Sequence, residues 1–189
     1  MAKPIGKREL RKHLQGLTQE QLVNHLLHLG ESFKDVQAYL QNVVHPADDE
    51  TVRARYRQII ENEFFPARGY GKARLAVARK AVTDYKKVAA SVEGPADLML
   101  VYVEMGARYA RTYGALDEPF SRSMESMYAT ALQWIMKHAI EDAFRPRAEA
   151  VLTATRGMGY WFHDTLTDIF FQRMGEGDED DEEEVYDVA

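Results

Sequence analysis

Ten arginines or lysines against three acidic residues lie between Val52 and Lys87. In the part of that stretch that reads as a helix, Lys72, Arg79 and Lys86 recur every seven residues, with Lys80 and Lys87 beside them. At about 100° per residue these five form one stripe next to the apolar face. Gly69-Tyr70-Gly71 precedes them. Glycines let backbone N–H groups approach an anion, and a helix N-terminus carries a partial positive charge. Arg68, Lys72 and Arg74, backed by Arg79, Lys80, Lys86 and Lys87, thus form a candidate site for phosphate or a nucleic-acid backbone. A solvated helix face is the commoner meaning of such a stripe. Nucleic-acid-binding domains usually have a pI above ~9, which a body with 24 basic against 21 acidic residues outside 175–189 does not approach. The loop is not a Walker A motif, because it lacks the preceding strand, the spacing and a Ser or Thr after the lysine.

His163-Asp164, after the aromatic run Tyr160-Trp161-Phe162, is the best place for acid–base chemistry. Glu104, inside an apolar segment, is the other suspicious polar residue, since a buried carboxylate needs a partner or a shifted pKa. Meeting in a cleft, Glu104, His163 and Asp164 would supply base, acid and orienter. The blander reading is that they satisfy buried hydrogen bonds and fix helix register. No Gly-x-Ser-x-Gly motif supports an enzyme. His25 and His28 lie three apart without a third ligand at a recognisable spacing. His138, Glu141 and Asp142 fall within about one turn, but a helical di-iron site needs Glu-x-x-His on two helices and two further glutamates. No metal and no cofactor is expected. The chain has no cysteine, which excludes disulfides, thiolate metal sites and a cysteine nucleophile.

The low net charge belongs to one end. Residues 175–189 hold nine acidic and no basic residues, leaving 24 basic against 21 acidic in the remainder. That end reads as a disordered, solubilising tail. A second idea is that its carboxylates fold back on the basic stripe and compete with an anionic partner. The start, MAKPIGKREL, lacks an apolar core and does not read as a signal peptide. The longest apolar run, Leu98 to Val103, falls far short of the roughly 20 residues that span a bilayer. The expectation is a cytoplasmic protein with no membrane partner.

Apolar residues three and four apart predict the elements that must carry these groups. A short basic helix covers Lys7 to Leu14. Thr18 and Gln21 form a capping-box pattern that starts a long helix to Val43, with a kink expected at Gly30. Its apolar set, Leu22, Leu26, Leu29, Phe33, Val36, Leu40 and Val43, is the cleanest in the chain. Further helices are expected over 49–64, 72–90, 97–113 and 120–141, followed by a pair that starts near Phe144–Pro146. In the helix over 49–64, Val52, Tyr56, Ile59 and Ile60 point inward. The run from Leu98 to Val103 also suits a buried strand, but no second strand is evident to pair with it. Trp134, Trp161, Phe162, Phe170 and Phe171 read mostly as core, with an exposed Phe170–Phe171 doublet as a protein-binding alternative. Prolines 46, 66, 95, 119 and 146 are read as separators, which argues against a coiled coil.

Three stretches resemble an uncharacterised bacterial family known only as a domain of unknown function. They are Glu63-Phe64-Phe65-Pro66 with Gly69-Tyr70-Gly71-Lys72, Tyr102-Val103-Glu104-Met105-Gly106 through Tyr113-Gly114-Ala115-Leu116-Asp117-Glu118-Pro119-Phe120, and Gly157-Met158-Gly159-Tyr160-Trp161-Phe162-His163-Asp164-Thr165-Leu166. The resemblance covers most of residues 7–174. It implies a single helical domain and supplies no activity, cofactor or partner.

The expected fold is therefore all-α: one multi-helix domain over 1–174 with seven or eight helices. Helix pairs could stack like a solenoid, and an acidic tail follows over 175–189. The leading functional expectation is a non-enzymatic interaction or adaptor module with a protein partner. The alternative is polyanion binding through the basic 68–87 region, moderated by the tail. A hydrolytic or isomerising enzyme built on Glu104, His163 and Asp164 ranks third.

Overall fold

The computed structural model describes residues 5–175; the acidic segment 176–189, read above as a disordered tail, lies outside the described residues. Among the described residues the chain forms nine α-helices and no strand: α1 Lys7–Gln15, α2 Gln19–Ser32, α3 Lys34–Val44, α4 Pro46–Phe64, α5 Leu75–Val88, α6 Glu93–Tyr113, α7 Glu118–Lys137, α8 Glu141–Thr155 and α9 Tyr160–Met174. They make a single helical domain, with one or two helices more than pattern counting gives.

Helix α6 is the centre. Its run Leu98–Val103 is buried throughout, because α4, α5, α7 and α8 all pack against it. A helix apolar all round has no face to give to water, which is why this stretch imitates a buried strand in sequence. Phe64 of α4 meets Tyr102 of α6 and Phe120 of α7 edge-on, with ring centroids 5.8 and 6.5 Å apart. Helix α9 closes the far side against α7 and α8, while α3 joins on the near side against α4 and α5. Buried Asn42 fixes that junction by donating to the Val88 carbonyl at 2.7 Å.

Two carboxylates interrupt the apolar centre. Asp97 and Glu104 lie two turns apart on α6 and therefore share a face. Arg57 of α4 donates to both Asp97 oxygens at 2.6 and 2.7 Å. Arg147 of α8 donates to Asp97 Oδ1 at 2.5 Å and forks onto Glu104 at 2.5 and 2.8 Å. Arg53 Nε stands 3.9 Å from Asp97. Burial works against the Arg147 charge, but the hydrogen bonds and charges of Glu104 and Asp97 outweigh it and raise its pKa above the ordinary arginine value.

The capping box forms as the spacing predicts: Gln21 N–H donates to Thr18 Oγ1, and Thr18 N–H donates to the Gln21 side chain. Asp117 caps α7 through the Phe120 amide at 2.9 Å. Other expectations need correction. The long helix over 18–43 is two helices that break at Phe33, whose backbone is extended (φ −130, ψ 117). Helix α2 runs on through Gly30 to Ser32; a Cβ at Gly30 would lie 3.1 Å from a Leu40 methyl, so glycine lets α3 fold back closely on α2. Helix α5 begins at Leu75 rather than Lys72, after Ala73 takes a positive φ of 44°.

The prolines separate less than expected. Pro46 and Pro119 stand in first-turn positions of α4 and α7, and Pro95 lies in the first turn of α6. The N–H groups there have no intrahelical acceptor to lose. Pro146 lies inside α8. Ile59 is exposed rather than inward, and so is Trp161. The Phe170–Phe171 doublet splits: Phe170 is buried and Phe171 is exposed.

Replacing Asp97 with alanine leaves three guanidinium groups around an empty acceptor. Breaking a fully buried ion pair costs about 3–5 kcal/mol. These arginines keep part of their exposure, so the expected loss for Asp97→Ala is about 2–3 kcal/mol, read as a lowered urea midpoint. A loss below about 0.5 kcal/mol, the scale of an ordinary surface change, would show that the network does not hold α4 and α8 to α6.

Candidate functional site

The basic loop folds against its own protein. A Cβ at Gly71 would stand 1.9 Å from the Phe64 carbonyl oxygen, so only glycine allows the loop to cross the end of α4. The Tyr109 hydroxyl donates to the Gly71 carbonyl at 3.3 Å. Beyond it, Arg74 donates to Glu63 three times: backbone N–H at 3.3 Å, Nε at 2.9 Å and an Nη at 2.6 Å. The N-terminus of α5 thus receives an anion, as the glycine-rich pattern suggests, but that anion is the Glu63 carboxylate. The hydrogen-bonding Arg74 holds the Glu63 carboxyl below the usual glutamate range.

Most of the remaining stripe is also engaged. Arg79 donates to the Ser123 carbonyl at 3.0 Å and its hydroxyl at 3.2 Å. Lys80 and Lys87 both pair with Asp84, whose pKa is lowered chiefly by its hydrogen bond with Lys80. Lys86 sits over the Trp134 ring, 4.1 Å from its centroid. Arg68 and Lys72 stand exposed in the loop.

The acid–base candidates are apart. Glu104 is held by Arg147 and lines a cleft of about 520 Å³ between α6 and α8 with Arg108 and Arg111. His163 shares a hydrogen bond with Thr155 through Nδ1 at 3.2 Å. Together with Asp164, Gly157 and Gly159 it lines a separate cleft of about 550 Å³. No hydrogen bond joins Glu104 to His163 or Asp164 among the described residues. His25 and His28 are exposed on α2. His138 lies with its ring 4.3 Å from that of Trp134. No group of three potential ligand side chains that could hold a metal occurs among the described residues.

The unexpected surface is N-terminal. Neither α1 nor α2 has a buried residue. Helix α2 packs substantially only on α3, and α1 packs substantially on no helix among the described residues. The cleanest apolar set in the chain is therefore largely in solvent: Leu26 is 51% exposed, Phe33 56%, and Leu29 and Val43 at least 40%. A shallow groove of about 790 Å³ lies along α1, lined by Leu10 and Leu14 with Lys7, Arg8 and Arg11, and by Leu22 of α2. The basic pattern of α1 also carries Leu10 and Leu14 at i, i+4 beside Arg8, Arg11 and Lys12, and this basic amphipathic spacing is the signal that marks such a helix as an interface.

With this geometry in view, residues 5–169 match the family of unknown function DUF6155, and the chain belongs to that family. No curated protein and no solved structure matches it. Among the described residues no helix is long and apolar enough to cross a membrane.

The Glu63–Arg74 contact gives a pH prediction. A depressed carboxyl pKa stabilises the fold above the unfolded-state value, near the ordinary 4.5, and that stabilisation fades as pH falls through the lower folded value. Wild-type stability should therefore drop more steeply than that of Glu63→Gln between about pH 5 and 3. Parallel urea curves for the two proteins across that interval would contradict the ion pair's role.

Proposed function

We propose that this protein is a non-enzymatic interaction module that binds a protein partner through the apolar faces of α1–α3. The observation behind this reading is that two consecutive amphipathic helices bury no residue while displaying leucines at helical spacing. Soluble monomers rarely leave a large contiguous apolar patch uncovered, and those that exist are often functional. A nine-residue helix such as α1 is marginal by itself in water, so a partner that covers its leucines also supports its fold.

The polyanion reading draws less support, because five of its seven cations already make contacts within the protein. The enzyme reading draws less still, because Glu104 and His163 line different clefts. A cytoplasmic location belongs to the same proposal, since a chain without cysteine needs no oxidising compartment.

The test places a photo-crosslinking side chain at Leu26 in the native cell, with the exposed Trp161 of α9 as control. A discrete adduct is expected at Leu26 only, and it should disappear in the Leu14→Asp, Leu29→Asp background. That double variant should keep its unfolding free energy within about 0.5 kcal/mol of wild type, as befits exposed positions. Equal labelling at both sites, or an adduct indifferent to the two substitutions, would overturn the reading.

A further inference from the structure

The α1–α2 groove has a chemistry that narrows its occupant. Three leucines and the cations Lys7, Arg8 and Arg11 line it, with Lys12 also on α1 and Glu9 as the only acid of that helix. A matching segment must carry several carboxylates next to apolar side chains. Residues 176–189 of this chain, Glu-Gly-Asp-Glu-Asp-Asp-Glu-Glu-Glu-Val-Tyr-Asp-Val-Ala, have that composition: an acidic run followed directly by Val185, Tyr186 and Val188. Among the described helices, the cations of α1 line an apolar groove, whereas the basic stripe of α5 is already engaged by Asp84, Ser123 and Trp134. The N-terminal groove is therefore the better complement to the acidic end.

The segment follows α9, which packs on α7 and α8, whereas the groove is joined to the body through α3, which packs on α4 and α5, and none of α7, α8 and α9 packs substantially on α1, α2 or α3. Fourteen residues span roughly 50 Å at full extension, and any part seated in the groove is lost to reach. Building on the interaction-module reading, we infer that the α1–α2 groove binds the acidic C-terminal segment 176–189 of a second copy of this chain. Carboxylates meet the α1 cations while Val185, Tyr186 and Val188 cover Leu10, Leu14 and Leu22. Reciprocal exchange of two segments closes a dimer, and one-way exchange propagates into longer assemblies. Exposed charge pairs are screened by salt, so the association weakens as ionic strength rises.

Sedimentation velocity on full-length chains tests this. One variant carries amides in place of the nine tail carboxylates; the other carries Arg8→Glu and Arg11→Glu. Wild type should associate with rising concentration at low salt, and each variant alone should stay monomeric. Mixed, the two retain one intact groove and one intact tail between them and should form a 1:1 complex. A synthetic peptide of residues 175–189 should bind the tail-amide protein, and at least tenfold more weakly when Arg8 and Arg11 are also reversed. The tail-amide protein leaves α1 untouched, so the test survives even if the groove variant loses that helix. Peptide binding to the tail-amide protein alongside a strictly monomeric wild type would overturn the inference in favour of a segment that closes on its own chain. No peptide binding at all would overturn it outright. In either case an adduct at Leu26 that depends on Leu14 and Leu29 would leave the broader interaction reading standing, with another protein as occupant.

Discussion

Asp97 gathers the guanidinium groups of Arg57 and Arg147 within hydrogen-bond distance and Arg53 just beyond. This carboxylate lies at the start of a helix whose next six residues are buried apolar side chains. A charge in such a place is costly unless it is paired and hydrogen-bonded. The pairing selects an arrangement: α4 and α8 must present their arginines to the same face of α6 at once. Apolar contact alone is non-directional and would tolerate α6 rotated among its neighbours. The fork of Arg147 across Asp97 and Glu104 fixes both the rotation of α6 and the register of α8 along it.

That constraint divides the molecule. From α4 onward, every helix contributes to the core around α6 or to its outer layer. The arm formed by α1 and α2 lies outside it and reaches the body through α3. Helix α3 itself is held by one buried amide, Asn42, and by partly buried side chains such as Ala38. Local stability in proteins follows the density of buried apolar contacts. The arm, with few such contacts, is thus the part of the fold most responsive to a partner, and it carries the groove. The body is the rigid support.

The basic stripe shows how a pattern is absorbed by its surroundings. Gly69-Tyr70-Gly71 and the following cations do assemble an anion contact at the start of α5, but Glu63 from the end of α4 fills it. A helix N-terminus takes whichever anion reaches it. Here the loop returns to the helix it has just left, so the nearest carboxylate is eleven residues earlier in the chain. The contact seals the α4–α5 connection and keeps Arg74 on Glu63.

The sequence alone determined the all-helical class, the capping box at Thr18 and the family resemblance, because propensity, capping and apolar spacing act over one or two turns. It also placed Ile60, Phe162 and Phe170 on inward faces, where they are buried. Only the tertiary structure decided which apolar faces are covered. Leu22, Leu26, Leu29 and Phe33 repeat as regularly as any core set, yet they are left in solvent or half-covered, since periodicity states that a helix has an apolar side and says nothing about what packs there. Likewise Glu104 stands out as an acid inside an apolar segment, but its partner Arg147 is 43 residues away and its neighbour Asp97 has no mark in the pattern. Long-range pairing depends on how helices cross, and that depends on the whole set of contacts around α6.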